Sequence, residues 1–486
     1  MGLGLFSPVA DVERLTAAVR SPRLAVVSGK QGLEQRLEEL EELAAGAVDR
    51  AIAGGVDVAE AIARGGSELS TKVRMGEPEL VEEAGHRGIG LRVIKNQRVA
   101  LTSTSDLTES GLSRFIADAL ELVDVSQEDP FAGPADPELV AKQRPGADEL
   151  YDPAVGEIDA DQALDWARRG EAAALQVDDR ITNSDGATFS RVSRVFAMVL
   201  SGGFRGGYAT SSASLVVVPI ADDDDHKKRR GHHWTARRYL ADLDPAEDVG
   251  AEAARRTLRL LGPRKVSSCE APVIFEPDAA RSILGMMASC VSGGSIWRKQ
   301  SYLADRIDTR VASELVTIVD DPFLPRGPGT RPFDGEGLLS RRNTVVDSGI
   351  LETFLCDSYS GRKLDRPTTA SAVRSSGGAV GVSTTNLVLQ PTDQSPQDIL
   401  AATKSGLYVT EMMGMGFNPV TGDFSRGAVG FWIENGELAY PVSEVTISLN
   451  ADELFKGIDA VGSDLDLRSA IAAPTIRVAS MTIGGR

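Results

Sequence analysis

Histidine and cysteine side chains are the groups in this sequence that could bind a catalytic metal ion, and they are few. The 486 residues include four histidines and three cysteines. His226, His232 and His233 form the only cluster of histidines. In a strand, His226 would lie roughly 20 Å from His232. In a helix, the segment from His226 to His232 would be about 10 Å long. Both lengths are too great for one zinc ion, because a zinc–nitrogen bond is about 2 Å long. Only a folded-back loop could bring the three imidazoles to one ion.

Other catalytic chemistries have weaker support. The sequence has no G-x-S-x-G nucleophile elbow and no G-x-x-x-x-G-K-[ST] phosphate loop. Distance along the chain does not exclude a serine–histidine triad assembled in space, so that class stays open. The acids Asp320-Asp321 and Asp222–Asp225 are more typical of exposed turns than of acid–base pairs. The cysteines form no C-x-x-C pair and indicate reduced thiols: Cys269, Cys290 and Cys356.

The composition is that of an acidic globular protein with a net charge of −18. This charge argues against a general nucleic-acid-binding protein, because phosphate binding needs a basic surface. The basic segment His226–Arg238 follows Asp222–Asp225, so we interpret it as a solvated loop whose charge is cancelled nearby; a nucleic-acid or partner patch is the alternative. No apolar run approaches the roughly 18 residues needed to span a bilayer. The N-terminal sequence lacks the features of a secretory signal, and a cytoplasmic location is expected.

The elements that would position these residues indicate an α+β protein, with two smaller N-terminal α/β units followed by a larger antiparallel β-rich C-terminal domain. The predicted divisions are an extension at 1–30, an α+β unit at 31–127, a proline- and acid-rich linker at 128–154, a middle α+β unit with a β-meander at 155–264, and the C-terminal domain at 265–486.

Local patterns predict several helix ends and turns. Apolar spacing predicts a helix over Gly32–Ala53, and Asp106 is predicted to cap a helix over Leu107–Leu122, with Glu109 completing a capping box. Gly262 is predicted to end a helix that starts after Pro245. Turns are predicted at Ser184-Asp185-Gly186, Asp347-Ser348-Gly349 and Asn435-Gly436.

The segment Thr421–Ile447, TGDFSRGAVGFWIENGELAYPVSEVTI, combines a glycine-rich loop with a hairpin. Its glycines leave the backbone uncovered, so another chain could approach closely. Glycine-rich strands with exposed edges could accept an extended peptide by strand addition. Arg426, Phe431 and Trp432 are residue types enriched at interfaces, although strand alternation directs at least one of the two aromatic rings inward.

This segment resembles the C-terminal signature of the TldE (PmbA) branch of the TldD/TldE metalloprotease family. Other stretches resemble the same branch: GIGLRVIKNQRVALTSTSDL (88–107), RTLRLLGPRKVSSCEAPVIFEPDAA (256–280), SGGSIWRKQSYLADRID (292–308), PFDGEGLLSRRNTVVDSGIL (332–351) and SYSGRKL (358–364). The resemblance covers most of residues 55–485. It implies a cytoplasmic heterodimer with a TldD-like subunit that acts as a zinc metalloprotease on unfolded peptides; older descriptions call the family modulators of DNA gyrase.

The resemblance also implies where the zinc would lie. TldD relatives carry an H-E-x-x-x-H pattern on a helix, and an ungapped match places Gly285, Met286 and Cys290 at those three positions. The segment DAARSILGMMASCVSGG (278–294) contains no histidine, and this chain has no cysteine after Cys356 to supply the family's late ligand. We interpret Cys290 as a small buried thiol.

The sequence therefore predicts a non-catalytic TldE/PmbA-like subunit, with no metal or cofactor of its own and zinc in its partner. The candidate peptide-channel or interface residues are Gly414, Gly416, Gly422, Asp423, Ser425, Arg426, Gly427 and Trp432. No nucleic-acid or membrane partner is expected, and a homodimer could form without the partner. Two alternatives stay open: a stand-alone metallopeptidase built from Cys290 and the His226–His233 loop, and a non-proteolytic protein that binds a gyrase-like target through Arg229 and Arg230.

Overall fold

The structure is a computed structural model and describes residues 30–142 and 146–485. The predicted extension 1–30 lies, apart from its last residue, outside the described residues. Within the described residues, the α-helices of the N-terminal half are α1 (Lys30–Ala53), α2 (Glu109–Val125), α3 (Pro153–Glu157), α4 (Ala160–Leu175) and α5 (Ala246–Leu258). Its strands are β1 (Val58–Arg74), β2 (Glu77–Lys95), β3 (Arg98–Thr104), β4 (Ile181–Leu200), β5 (Arg205–Asp222), β6 (Lys228–Arg230) and β7 (His233–Arg237).

These strands form one seven-stranded sheet in the order β3-β2-β1-β4-β5-β6, with β7 also paired to β5. β1 pairs with β4 over most of its length, so the sheet continues across the predicted linker into the middle unit. Alternation puts the odd-numbered residues of β1 and β4 against the helices: α1 and α2 cover one part and α4 and α5 the other. The opposite face, with even-numbered residues such as Arg194, faces the C-terminal region.

The C-terminal region begins with β8 (Cys269–Phe275) and contains the helices α6 (Pro277–Cys290), α7 (Gly293–Trp297), α8 (Ser358–Leu364), α9 (Pro396–Ala401) and α10 (Ala451–Lys456). Its remaining strands are β9 (Ile318–Asp320), β10 (Asn343–Asp347), β11 (Ile350–Leu351), β12 (Ala372–Arg374), β13 (Val380–Val382), β14 (Leu387–Leu389), β15 (Ser405–Met413), β16 (Asp423–Glu434), β17 (Glu437–Asn450), β18 (Ile458–Val461), β19 (Ile471–Ala472) and β20 (Ile476–Gly484).

The largest sheet of this region runs β17-β16-β15-β8-β20-β18, and an additional pairing between β17 and β20 closes it on itself. A closed sheet has few free edges, which protects it from pairing with other chains. α6 packs against this sheet, and its buried face contributes Ile283, Met287 and Cys290 to the main C-terminal core. The predicted α+β class with a β-rich C-terminal domain is confirmed; the division into units stays a prediction.

Three of the predicted turn and cap positions have the expected backbone. Asn435 and Gly436 have φ values of 54° and 82°, as a type I′ hairpin requires, and join β16 to β17. Ser348 and Gly349 have φ values of 47° and 83° between β10 and β11. Gly262 has the expected positive φ of 66°, but it does not end the helix as predicted, because α5 ends at Leu258 with Arg259 as its C-cap. These turns are local, so side-chain chemistry at the turn itself is sufficient to specify them.

Three further local predictions are wrong. Thr108, not Asp106, caps α2, because its side chain accepts a hydrogen bond from Gly111 N, while Asp106 accepts from Thr108. Ser184–Gly186 is a bulge inside β4 rather than a turn, because β5 pairs on both sides of it. Asp320 is buried instead of exposed and accepts hydrogen bonds from Thr385 N and Oγ1. Among the described helices, none is long and apolar enough to cross a membrane.

Candidate functional site

The helix α6 presents only one of the three predicted metal-ligand positions to open space. A Cβ atom built on Gly285 would have no other group within 4 Å. Met286 and Cys290 are instead buried, with exposed fractions of 5% and 0%, and belong to the core beneath the helix. The side of α6 that could face a ligand therefore carries a glycine where a metal ligand would be needed.

Arg426 connects the glycine-rich strand β16 to this helix. Its Nη1 donates a 2.8 Å hydrogen bond to Ser282 Oγ, while its Nε is buried without a hydrogen-bond partner among the described residues. Ser282 and Gly285 are three residues apart on α6 and so share one face of the helix. The structure thus brings together two features that are distant in sequence, Arg426 and the metal-position glycine.

The other predicted channel residues lie in or near the loop between β15 and β16. Most of them hold the backbone of this loop in place. Gly422 has φ 80° in a turn held by Asn450, whose side chain also donates to Asp423 Oδ1. Gly427 lies beside Met413, and Ser425 N donates a 2.8 Å hydrogen bond to Gly416 O. Gly414 is exposed with φ 80°, and Trp432 is half-buried against the C-terminal core. Their role in a channel or interface stays a prediction.

The predicted exposed edge of this glycine-rich strand is not present. β16 pairs with β15 on one side and with β17 on the other along most of its length. The backbone N–H and C=O groups of β16 already form hydrogen bonds with these neighbouring strands, so a peptide cannot add to β16 itself. What remains accessible is the end of β15 and the loop after it, where Met413, Met415 and Val420 have exposed fractions of 48%, 92% and 52%.

Gly416→Ala is expected to destabilise this loop strongly. A Cβ atom at position 416 would lie 1.6 Å from the backbone oxygen of Ser425, so the chain itself would have to move. We expect a loss of about 2 kcal/mol or more in the free energy of unfolding, measured by urea denaturation. Gly381→Ala is the matched control, because nothing lies within 4 Å of its Cβ position, and it should change stability by less than about 0.5 kcal/mol. Equal effects of the two substitutions would contradict this account.

Three family models cover most of the chain. They are described as the PmbA/TldA metallopeptidase domain 1, central domain and C-terminal domain, and they match residues 59–123, 153–261 and 268–485. The chain belongs to the PmbA/TldD metallopeptidase family. It lies in the PmbA/TldE branch, as the sequence motifs predict.

Named relatives agree with this assignment. The chain is 37% identical to the metalloprotease PmbA of Escherichia coli O157:H7 over 93% of its length and 96% of that protein. It is 36% identical to the PmbA homologue of Haemophilus influenzae, covering 93% and 98% of the two chains. A candidate modulator of DNA gyrase from Bacteroides thetaiotaomicron has a TM-score of 0.85 at 27% identity, over 92% of this chain and 99% of that one. TldE from Thermococcus kodakarensis shares the fold, with a TM-score of 0.81 at 19% identity, over 91% of this chain and 100% of that one.

Membership of a metallopeptidase family implies zinc, but the residues at the matched position do not fit this ion. Gly285 offers no donor and Met286 only a thioether. Burial raises the pKa of the Cys290 thiol, so it stays protonated at neutral pH, whereas a metal needs the thiolate. Over residues 30–142 and 146–485, no group of three or more His, Cys, Asp or Glu side chains is arranged to hold a metal ion.

The histidine-rich segment does not provide a substitute site. Burial, together with the charges of Arg256 and Arg468, lowers the pKa of His233 to about 4, so the imidazole is neutral at pH 7. A neutral imidazole can bind a metal, but among the described residues His233 belongs to no group of three potential metal ligands. The neighbouring basic residues are paired with acids: Lys228 with Asp222, Arg229 with Asp223 at 2.6 Å and Arg230 with Asp185 at 3.0 Å. The charges of Lys228, Arg229 and Arg230 are therefore cancelled nearby, as predicted. The segment is not a solvated loop, however: it forms β6 and β7 of the N-terminal sheet, and Thr235 and Arg238 are buried.

A set of arginines that no sequence pattern predicted lines the space between the open face of the N-terminal sheet and the C-terminal region. Arg64, Arg194 and Arg331 line cavities between this face and the C-terminal region. They come from β1, β4 and a loop before β10, so no spacing within the sequence connects them. The one available signal is that PFDGEGLL, a family-like stretch, directly follows Arg331.

Proposed function

We propose that this chain is the non-catalytic, TldE/PmbA-like subunit of a heteromeric zinc metalloprotease that acts on unfolded peptides in the cytoplasm. A TldD-like partner would carry the zinc, and this chain would support the partner and form part of the wall of the peptide channel. The observation that carries the proposal is α6, where the position facing open space is Gly285 and the other two positions are buried in the core.

The loop between β15 and β16 supports a partner interface close to this helix. Met413 at the end of β15 and Met415 and Val420 on the loop after it expose apolar side chains within residues 413–420. Exposed apolar surface of this kind is typical of protein-binding sites. Methionine is well suited to such surfaces because its side chain is flexible and polarizable. Arg426 holds the strand after this loop to α6, so an interface here would also adjoin Gly285.

The decisive experiment mixes this chain with a purified TldD-type protein from the same source and follows hydrolysis of an unfolded, fluorescently labelled peptide. We expect a complex by native mass spectrometry and hydrolysis at least about a hundredfold faster in the mixture than with this chain alone. Zinc should be found in the partner and not in this chain. Hydrolysis of equal rate by this chain alone, with stoichiometric zinc, would overturn the proposal.

A loop variant and a control variant elsewhere on the surface test the interface within the same experiment. Met415→Glu should weaken the complex and reduce hydrolysis in proportion, because a charge would have to be desolvated at the interface. Val125→Glu is the matched control, since Val125 is 80% exposed on α2, far along the chain from the loop. If both variants assemble and hydrolyse as the unchanged chain does, the loop is not part of the interface.

A further inference from the structure

Two adjoining cavities lie between the open face of the N-terminal sheet and the C-terminal region. Their volumes are about 350 and 330 Å³, within the usual range of ligand sites. Arg194, Tyr208, Thr210 and Arg331 line both, so the two cavities adjoin at these side chains. Arg194 and Thr210 are cross-strand partners on β4 and β5, and Arg331 faces them from the C-terminal region. We call this space the arginine cleft.

The arginine cleft is strongly basic in a chain whose net charge is −18. Four arginines line the first cavity and five line the second, counting Arg194 and Arg331 in both. Asp334 is the only acidic residue among the described lining residues. This carboxylate is already occupied, because it accepts hydrogen bonds from the backbone N–H groups of Glu336, Leu338 and Ala372.

Some of these arginines are neutralised within the protein and have structural roles. Arg374 forms an ion pair with Glu60, Arg468 with Asp466, and Arg194 with Glu68 at 2.7 Å. The Arg194 pair is about half exposed, with side-chain exposures of 57% and 47%, so it can exchange its partner at little cost.

Other arginines of the cleft have no carboxylate partner among the described residues. Arg238 is 7% exposed and donates to four backbone carbonyls, and Arg64 donates to the backbone oxygen of Arg374. Arg331 is the extreme case: its Nε and Nη2 are buried and have no hydrogen-bond partner in the described protein. The charge of Arg331 acts on the carboxylates of Asp320 and Asp334, but neither accepts a hydrogen bond from it. Buried N–H groups without an acceptor are costly, and the two oxygens of a bound carboxylate would satisfy them.

Aromatic side chains beside the arginines define the rest of the cleft. Phe196, Tyr208 and Phe333 pack together, with ring centroids 5.3 to 6.2 Å apart. Burial raises the pKa of Tyr208, so its hydroxyl stays protonated at neutral pH and can donate a hydrogen bond. The cleft therefore combines several neighbouring guanidinium groups with an apolar wall. This combination suits a carboxylate attached to an organic chain better than a strongly hydrated polyanion.

We propose that the arginine cleft binds a carboxylate of a peptide, either its C-terminal group or an acidic side chain, with Arg331 as the central anchor. The planar guanidinium of Arg331 would donate two parallel hydrogen bonds to the two carboxylate oxygens, and Arg64 and Arg194 would complete the positive surface. The identification of the ligand as a peptide rests on the proposed function; the presence of a carboxylate site in this chain does not.

The test measures binding of short dye-labelled peptides to the full chain by fluorescence anisotropy, without any partner. Three peptides of otherwise equal sequence are compared: one with a free C-terminal carboxylate, one with a C-terminal amide and no acid, and one with a C-terminal amide and a glutamate side chain. We expect the uncharged amide to bind at least about tenfold more weakly than one or both of the others, and added salt to weaken the difference. The peptide that binds best identifies the source of the carboxylate.

Arg331→Gln should reduce the affinity for the preferred peptide at least about tenfold. The thermal unfolding midpoint should change little, because no hydrogen bond to a described residue is lost. Arg255→Gln, which removes an exposed arginine on α5 paired with Glu252, is the matched control and should bind as the unchanged chain does. Arg194→Gln gives a second variant on the sheet side of the cleft, with an expected smaller loss.

Equal binding of all three peptides, or unchanged affinity in folded Arg331→Gln, would overturn the proposal. Full displacement by inorganic phosphate with no preference among the peptides would also overturn it, because the site would then be a simple phosphate site. The assay contains no partner and no hydrolysis. It can therefore fail while the mixture of subunits still hydrolyses peptides, and it can succeed when that mixture is inactive.

Discussion

Glu60→Ala is expected to lower the free energy of unfolding by about 3 to 5 kcal/mol, the range measured when one partner of a buried charge network is removed. Glu60 lies on β1 with 2% exposure and accepts hydrogen bonds from Arg92 at 2.7 Å and from Arg374 at 2.6 Å. The Arg374 side chain is 1% exposed and comes from β12, in the C-terminal region. Without Glu60, two guanidinium groups would lose their only carboxylate among the described residues.

The same network predicts a dependence on pH in the acid range. Burial alone would raise the pKa of Glu60, but Arg374 and Arg92 outweigh this effect and hold it at about 2, below the ordinary value of 4.5. The folded state therefore binds fewer protons than the unfolded state between these values. The stabilisation is fully present above about pH 4.5 and is lost as the pH falls towards 2.

Urea denaturation at neutral pH and at pH 3 would measure both effects. Glu68→Ala is the matched control, because Glu68 also pairs with an arginine but both side chains are about half exposed, and such pairs contribute about 0 to 1 kcal/mol. The network account is wrong if Glu60→Ala costs no more than Glu68→Ala. It is also wrong if the Glu60→Ala variant loses as much stability between neutral pH and pH 3 as the unchanged chain.

Glu336→Gln is expected to stabilise the protein above neutral pH. Glu336 is 3% exposed, and burial, followed by the nearby charges of Asp334 and Asp357, raises its pKa to about 7 from 4.5. Folding favours the protonated form of this carboxyl group. The stability of the fold is therefore unaffected by its titration below about pH 4.5 and decreases as the pH rises towards and through 7, where the buried group becomes charged. A shift of this size corresponds to about 3 kcal/mol.

The amide of glutamine stays uncharged and can still accept the hydrogen bond that Ser358 N donates to Glu336 Oε2 at 2.8 Å. We therefore expect the variant and the unchanged chain to have similar unfolding free energies at pH 4.5, and the variant to be more stable by up to about 3 kcal/mol at pH 8. Glu314→Gln, at a side chain that is 81% exposed, should show no such difference. A stability difference that does not grow between pH 4.5 and pH 8 would contradict the raised pKa.

Features that depend on neighbouring residues could be predicted from the sequence. Asn435-Gly436 forms its hairpin turn because both residues adopt positive φ readily, and Gly262 follows α5 in the left-handed conformation for the same reason. The lack of histidine on α6 could also be seen in the sequence, because whether a position can bind a metal ion depends first on which residue occupies it. The errors at Asp106 and Ser184–Gly186 arose where two local solutions compete and strand pairing or helix geometry chooses between them.

The sequence by itself determined the family, the α+β class and the lack of histidines on α6, since each follows from residue types in short contiguous segments. Only the tertiary structure decided that β16 has no free edge, that Glu60 meets Arg374 across 314 positions, and that Arg331 lies unpaired opposite Arg194. Burial and ion pairing depend on which distant segments become neighbours, and that information is spread over the whole chain rather than written in any local spacing.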